Sequence, residues 1–465
     1  MEFIENKVFD EIKIGDIATL THTLTIEDIR LFALVSGDVN PTHMDTKYAE
    51  GQESHKVSGH SLWAGNLLSS LLGNQLPGPG TVYREQNLQF ERQVFLGETI
   101  IVTITVKEKH EDDHLVVFNC RCENQDGEII YTGCANVFAP SEKIKRPRAM
   151  LPEIHINMPG AQLERLVKMT EKFEPIRMAI VHPVDTNSLM GAIDAAKANL
   201  IIPVLFGPRG KITAIAEQEG VDINDYEIID TEHSHEAAAK AVVMARSGEV
   251  EAIMKGSLHT DELMHEAIKR DTGITSSRRM SHVFLMDVPT YPRPLMVTDA
   301  AINIEPNLET KRDIVQNAIE LAHALGVSEP KVALLSAVET VSSKMRSTLE
   351  AAALCKMADR RQITGGLVDG PLAFDNAVSF EAARIKKITS AVAGQADILV
   401  APDLESGNMV AKQLEYLADA QSSGIVLGAR VPIALTSRAD SVLSRMASCA
   451  LALLLVRNKK PQIER

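Results

Sequence analysis

Up to about residue 140, apolar and polar positions alternate with a period of two. Ile100 to Val106, Leu115 to Cys122 and Ile129 to Val137 carry this alternation and predict half-buried strands. Asp126-Gly127 separates the last two and predicts a hairpin. Helical patterns interrupt the strands at Ile26 to Val35 and in the long apolar stretch Leu62 to Leu72, stopped by Gly73. One central helix among antiparallel strands is an α+β pattern. Residues 141–155 are charged, contain Pro147 and Pro152, and show no apolar period, which predicts a linker between domains at 1–140 and 156–465. Beyond it, short continuous apolar runs recur at Met178 to Val181, Ile201 to Phe206, Ala252 to Met254, Val332 to Ser336 and Ile398 to Ala401. Ala-rich helical stretches such as Met190 to Asn199 and Glu236 to Arg246 separate them. This predicts a parallel sheet covered on both faces, with ligand loops gathered at one end.

Composition narrows the function classes. The 465 residues are 45% hydrophobic and 24% charged, as in an ordinary globular protein. Acidic residues outnumber basic ones by 62 to 48, giving a net charge of -14, which argues against general nucleic-acid binding but leaves room for anionic ligands. Five cysteines do not make a disulfide framework. Cys120 and Cys122 are too close for the usual zinc pair and read as half-buried thiols in a reducing cytoplasm. Cys355 and Cys449 lie in apolar helical contexts and are expected to be buried. His233-x-His235 precedes a helix and reads as a helix-entry loop, so no metal site is expected. The acidic N-terminus lacks signal-peptide features, and the longest apolar run, Cys449 to Val456, is too short for a bilayer. A cytoplasmic protein with no membrane partner is expected.

The densest polar cluster of the first domain is Ser36-Gly37-Asp38-Val39-Asn40-Pro41-Thr42-His43-Met44-Asp45. A carboxylate and an imidazole five residues apart on a bent loop can converge on one water, as addition of water to a double bond requires. A helix end followed by an Asx turn accounts for the same residues. Phe32 to Asp45 resembles the signature of the MaoC-like, R-specific enoyl-CoA hydratases. Val57-Ser58-Gly59-His60-Ser61, Leu76-Pro77-Gly78-Pro79-Gly80 and Gly97-Glu98-Thr99 extend the resemblance over most of residues 10–140. The resemblance implies a hotdog fold, usually dimeric, in which Asp38 and His43 hold the water and N–H groups at the start of the long helix polarise the thioester carbonyl. Asn40, His60 and Ser61 become candidate substrate contacts. His60 either orients substrate or packs, Trp63 reads as core, and Ser61 stands where the family usually has Gly.

In the second domain, Thr436-Ser437-Arg438-Ala439-Asp440 opens an apolar-periodic segment that runs to Val456. Ser437 with Asp440 resembles a capping box, but Arg438 opposes the helix dipole and asks for an anionic partner. Lys255-Gly256-Ser257, Asp369-Gly370-Pro371 and Pro402-Asp403-Leu404-Glu405-Ser406-Gly407-Asn408 follow apolar strands, and Arg278-Arg279 adds a basic pair. With Leu334 to Val341 and Val392-Ala393-Gly394, these motifs resemble the phosphate acetyltransferase and phosphate butyryltransferase family over roughly residues 175–460. The implied fold is two α/β subdomains around a cleft, isocitrate/isopropylmalate dehydrogenase-like by analogy. The implied reaction is acyl-CoA plus phosphate giving acyl phosphate plus CoA, without a covalent acyl-enzyme or a tightly bound cofactor. By the resemblance Arg438 would bind the phosphoryl group and Ser437 the reacting thioester or phosphate, and Asp440 is a candidate base by proximity alone. Ser444 occupies the place of the acetyltransferases' acidic residue, and His265 lies where some carry Arg. Lys255, Ser257, Arg278, Arg279 and Ser336 are candidate substrate contacts. So are Asp369, Asp403, Gly407 and Asn408.

The whole chain thus resembles an enoyl-CoA hydratase fused to a phosphate acyltransferase, expected as a homo-oligomer. Two alternatives stay open. One is a single-activity acyltransferase whose hotdog module serves oligomerisation or acyl-CoA sensing. The other is a CoA-binding protein without catalysis.

Overall fold

The computed structural model describes residues 3–45, 48–49, 51, 55–149, 160–436 and 440–458. It divides into two compact units, Met1–Ile154 and His155–Arg465.

Among the described residues of the first unit, α1 (Ile26–Ser36), α2 (Pro41–Met44) and α3 (Ser61–Asn74) accompany seven strands. Strands β2 (Ile17–Thr23), β3 (Val82–Phe90), β4 (Thr99–His110), β5 (Leu115–Asn124) and β6 (Ile129–Phe138) form an antiparallel sheet in the order β2-β4-β5-β6-β3. Ala64, Leu68, Leu71 and Leu72 make one stripe of α3 and are fully buried against Ile100, Val102, Ile104 and Phe118. Gly73 keeps helical backbone, and α3 ends one residue later, where the Gln75 N–H bonds the Leu71 carbonyl.

The predicted linker requires a correction. Its first half belongs to this unit, because β7 (Lys145–Pro147) pairs antiparallel with β1 (Phe3–Glu5). Lys143 reaches Glu11 at 2.7 Å and Lys145 reaches Glu5 at 3.1 Å. Asn6 clamps the same segment through the Glu142 carbonyl and the Ile144 N–H. Charges that look solvated in sequence have their counter-charges in the acidic N-terminus. The rest of the linker, from residue 150, lies outside the described residues.

Among the described residues of the second unit, eleven strands form one sheet. They are β8 (Ile176–Val181), β9 (Ile201–Gly207), β10 (Glu227–Asp230), β11 (Ala252–Lys255), β12 (Ser281–Asp287), β13 (Leu295–Thr298), β14 (Lys331–Leu335), β15 (Leu367–Leu372), β16 (Ile398–Val400), β17 (Gln421–Leu427) and β18 (Ile433–Ala434). Their order is β10-β9-β8-β11-β18-β17-β12-β13-β16-β14-β15. The expectation of an all-parallel sheet fails at its centre. The first five strands of that order are parallel and the last four are parallel. Antiparallel β17 and β12 join the two blocks, which therefore run in opposite directions. Apolar strands report burial on two faces but carry no sign for direction.

Helices α4 (Ala161–Thr170), α5 (Thr186–Lys197), α6 (Arg209–Glu219), α7 (Ser234–Ser247), α8 (Thr260–Ala267), α9 (Leu308–Ala324), α10 (Arg346–Asp359), α11 (Phe374–Val378), α12 (Phe380–Ile385), α13 (Leu404–Leu417) and α14 (Val442–Asn458) cover the sheet. In α14 every residue from Ala447 to Leu455 is buried, so this helix is core on all sides.

One glycine tests the first unit's register. A Cβ on Gly133 of β6 would lie 2.0 Å from the Asn87 carbonyl oxygen and 2.9 Å from Leu88 on β3. Gly133→Ala is expected to lower stability by about 1–3 kcal/mol in chemical denaturation. An unchanged midpoint would contradict this pairing.

Candidate active sites

The first site is built where α1 ends. Gly37 adopts left-handed backbone (φ 73°) and its N–H closes on the Ala33 carbonyl. The chain then folds on its own polar groups. The Asp38 N–H donates to Ser36 Oγ at 3.2 Å, and the Asn40 N–H donates to Asp38 Oδ1 at 3.2 Å. Asn40 caps α2, accepting from the N–H and the hydroxyl of Thr42, and Pro41 sits at the first helical position.

Two imidazoles meet this loop. His43 Nδ1 lies 2.7 Å from the Ser58 carbonyl oxygen, so Nδ1 carries the proton and Nε2 the lone pair. His60 Nε2 donates to the Asp38 carbonyl at 3.0 Å and lies 4.0 Å from Asp38 Oδ2. The rings pack 4.0 Å apart between centroids, and Phe32 backs His60 at 4.9 Å. His60 therefore both packs and touches the loop. It is 3% exposed, and its Nδ1 has no hydrogen-bond partner among the described residues. Ser61 is exposed and begins α3, whose N-terminus has no side-chain cap. The uncapped N–H groups and the helix dipole there suit a developing negative charge. Among the described residues, Asp38, His43 and His60 also form a group that could hold a metal ion, with ligand atoms within 4.8 Å of one another. His233 instead caps α7 through Nδ1, as a helix-entry residue does.

The second site gathers where β8, β11 and β18 end. The Gly256 N–H donates to the Val181 carbonyl and the Ser257 N–H to that of His182. A Cβ on Gly256 would lie 2.4 Å from the Val181 oxygen, so only glycine lets the chain turn so closely there. Lys255 is 3% exposed, and its Nζ donates to the carbonyls of Gly256 and Thr436, each at 3.3 Å. Arg445, in the first turn of α14, donates from Nη1 to Thr436 Oγ1 at 2.9 Å and to the Lys255 carbonyl at 3.3 Å.

Carboxylates answer these cations. Burial opposes the charge of Asp185. Hydrogen bonds from the hydroxyl and N–H of Ser188, another from Ser257, and the nearby charge of Arg445 outweigh it, holding the carboxyl below its usual range. Burial likewise opposes the charge of Lys412 on α13, but Glu415 and then Asp440 more than offset it and raise its pKa. Asp440 is itself buried.

Other predicted residues are dispersed. Ser437 and Arg438 lie outside the described residues, between the buried Thr436 and Asp440. The expected capping box is displaced by one turn, because α14 starts at Val442 and Ser441 Oγ accepts the Ser444 N–H at 3.2 Å. Asp403 caps α13, accepting from the N–H and hydroxyl of Ser406. A Cβ on Gly407 would lie 2.3 Å from the Asp299 carbonyl, and the Asn408 amide donates to Ala300. These three thus steady the loop after β13. There the Asp299 carboxylate accepts the N–H groups of Ala301, Ile302 and Asn303.

Ser336 bonds Ser347, and Asp369 accepts the Gly370 N–H, both at the far edge of the sheet. Arg278 pairs with Glu320 of α9 in a cavity of about 1180 Å³ that none of the Lys255 cluster lines. Arg279 is exposed, with its backbone tied to Asp313 and Asn317. The prediction of one ligand-binding end brought these loops together wrongly, because the two sheet blocks run in opposite directions. Sequence reasoning missed Asp185, Thr436, Lys412 and Arg445. Their usable signals were Asp185-Thr186-Asn187-Ser188 at a strand–helix junction and a lone Arg in an apolar helix. Burial pushes the thiols of Cys120, Cys122, Cys355 and Cys449 up to about 12, which leaves no nucleophilic thiolate among these four at neutral pH.

Comparison with known proteins follows the same division. The family model for a MaoC like domain matches residues 15–124, and that for phosphate acetyl/butaryl transferase matches residues 233–453. The phosphate acetyltransferase of Rickettsia felis is 58% identical over 299 residues, covering 64% of this chain and 86% of that one. A branched-chain phosphotransacylase from Enterococcus faecalis is 30% identical, covers 60% of this chain and 99% of its own, and superposes with a TM-score of 0.53. The unliganded R-hydratase PhaJ1 of Pseudomonas aeruginosa is 36% identical across 34% of this chain and 100% of its own, with a TM-score of 0.33. The chain belongs to the phosphate acetyl/butyryl transferase family and carries a MaoC-like domain ahead of it.

The second unit has a signed pH dependence. Burial holds the pKa values of His182 and His282 below the ordinary 6.5. The folded state thus binds fewer protons than the unfolded state as pH falls through that value. Stability from the neutral rings is present above about pH 6.5 and is lost below it. The urea midpoint of the second unit should fall between pH 7 and 5.5, and less steeply in His282→Gln. An equally steep fall in that variant would contradict the assignment.

Proposed function

We propose that the second unit exchanges CoA for inorganic phosphate on a short acyl group, with acetyl preferred, and that the first unit hydrates trans-2-enoyl-CoA to the (R)-3-hydroxyacyl-CoA. The observation carrying the first assignment is the pair of buried cations, Lys255 and Arg445, gripping Thr436 immediately ahead of Ser437 and Arg438. A buried cationic cluster suits a phosphate dianion, and 58% identity to a phosphate acetyltransferase supports the acetyl preference. A phosphate oxygen attacks the thioester carbon, the C–S bond breaks, and CoA leaves as the thiolate. In the reverse direction a base must take the thiol proton, and Asp440 is the candidate. The two sheet blocks would be the two dehydrogenase-like subdomains, with the cleft over β17 and β12. Acyl-CoA, CoA and phosphate are then the only small molecules the reaction needs, without a tightly bound cofactor. The working assembly would be a cytoplasmic homo-oligomer. Among the described residues no helix is long and apolar enough to cross a membrane.

In the first unit, His43 Nε2 would take a proton from water and the oxygen would add to the β-carbon. The charge on the thioester oxygen would face the start of α3, and the α-carbon would be protonated from the same acid–base pair. Ser61, exposed at the first position of α3, favours one competing reading, a hotdog module that binds acyl-CoA without hydrating it.

The intact protein should release CoA from acetyl-CoA only when phosphate is present, faster than from butyryl-CoA. Arg438→Ala should cost about 100-fold or more. No phosphate-dependent release with either substrate would refute the transferase. Crotonyl-CoA should be hydrated, and Asp38→Asn should slow this by about 10²–10⁴-fold. Hydration equally slow in both proteins would establish the non-hydrating module.

A further inference from the structure

The first unit brings three metal-ligating side chains to one point. Asp38, His43 and His60 each offer a ligand atom, and the three atoms lie within 4.8 Å of one another. No other group of three His, Cys, Asp or Glu side chains comes as close among the described residues. Tetrahedral zinc, with bonds of about 2.0–2.2 Å, sets its ligand atoms about 3.4 Å apart. The remaining gap can be closed from the carboxylate side, because the Asp38 side chain is half exposed.

The state of the donors favours a metal ion. Each imidazole gives its ring proton to a main-chain carbonyl, His43 Nδ1 to Ser58 at 2.7 Å and His60 Nε2 to Asp38 at 3.0 Å. Each therefore keeps a lone pair on its other nitrogen. A carbonyl behind the ring N–H is the usual partner that orients a metal-bound imidazole. His60 is 3% exposed and packed between the rings of Phe32 and His43, and its Nδ1 has no hydrogen-bond partner among the described residues. Leaving a buried acceptor unpaired costs free energy, and hydration through Asp38 and His43 gives that nitrogen no task. Asp38 Oδ1 accepts the Asn40 N–H, and Oδ2 makes no hydrogen bond among the described residues.

Two imidazoles and one carboxylate suit Zn²⁺. Mg²⁺ and Ca²⁺ ask for oxygen ligands instead. The His43 Nε2 lone pair is also the one that has to receive the proton of water during hydration. A metal ion and the reaction compete for it.

We propose that Asp38, His43 and His60 form a zinc site, and that zinc bound there shuts off hydration by the first unit. The inhibition rests on the hydratase reading of the same residues, and the binding does not.

The test uses the metal-stripped full chain, with Zn²⁺ as ligand and Co²⁺ as a spectroscopic probe. The wild type should take up Co²⁺ with the visible absorption of a tetrahedral site, and Zn²⁺ should displace it. Asp38→Asn, His43→Gln and His60→Gln should each weaken Zn²⁺ binding at least about tenfold, the scale that loss of even an outer-shell partner costs. His233→Gln, which alters the neighbouring pair His233 and His235 of the second unit, should bind as the wild type does. Zn²⁺ should slow crotonyl-CoA hydration more than about tenfold at saturation, with its midpoint at the binding constant. A chelator should restore the rate, and Mg²⁺ at the same concentration should leave it unchanged.

Zn²⁺ binding that all three variants retain would overturn the site, whatever happens to hydration. Binding that the variants lose, in a protein that hydrates nothing, would refute the hydratase reading and sustain the site. Binding through these residues with hydration undiminished would overturn the inhibition. If the buried His60→Gln does not fold, the exposed Asp38→Asn decides the same question, because its amide removes the charge and keeps an acceptor for the Asn40 N–H.

Discussion

A guanidinium removed from water has to be answered by oxygen, and the oxygens that answer Arg445 come from separate parts of the chain. Lys255 closes β11, Thr436 follows β18, Asp185 caps α5, and Asp440 stands just ahead of α14. Each of those elements must stop where it does for the charge to be satisfied. Beyond Arg445 the helix is buried on all sides, and Ser448, whose Oγ accepts the Gly424 N–H of β17 at 3.1 Å, joins this junction in fixing where the helix sits along the sheet. Gly191 and Gly256 belong to the same constraint, one clearing the arginine stem and the other letting β11 turn against Val181.

The first unit solves a similar problem with backbone carbonyls. His43 and His60 each spend one nitrogen on a main-chain oxygen, of Ser58 and of Asp38. That choice sets the tautomer without committing a carboxylate, and Asp38 keeps Oδ2 for other work. The loop bearing Asp38 and Asn40 is exposed, held by short-range bonds from Ser36 to Thr42. The acid–base groups of this unit therefore depend on local turn chemistry, whereas the cations of the other depend on long-range packing.

That contrast explains what could be read from the sequence. Strands β4, β5 and β6 announce themselves because one face is buried and the other wet. The Ser36–Asp45 loop is legible because its bonds join residues two to four apart. The partners of Arg445 are not legible, because they lie 9 and 190 positions away; the arginine in an apolar helix marks the position but not what it binds. Ser437 and Ser441 are equally good caps on paper, and only packing of α14 selects the second. Arg278 looks like a phosphate ligand until Glu320, 42 residues on, neutralises it. The charges of residues 143 and 145 mislead in the same way, their partners being near residue 5 and residue 11.

The reversal at the centre of the large sheet has a consequence for biosynthesis. Strands β17 and β18 lie between β11 and β12, although they are made some 150 residues later. Until residue 421 is made, β11 and β12 lack the strands that separate them in the folded sheet, and both are built of residues destined for burial. Open apolar edges are templates for pairing with other chains, and late, distant contacts slow their closure. A nascent chain of this design is joined into one sheet only by the last strands to emerge, so chaperone demand should be concentrated in that interval. The same order makes the cation cluster one of the last features to form. Each nascent chain thus completes its scaffold before Lys255, Thr436 and Arg445 can meet.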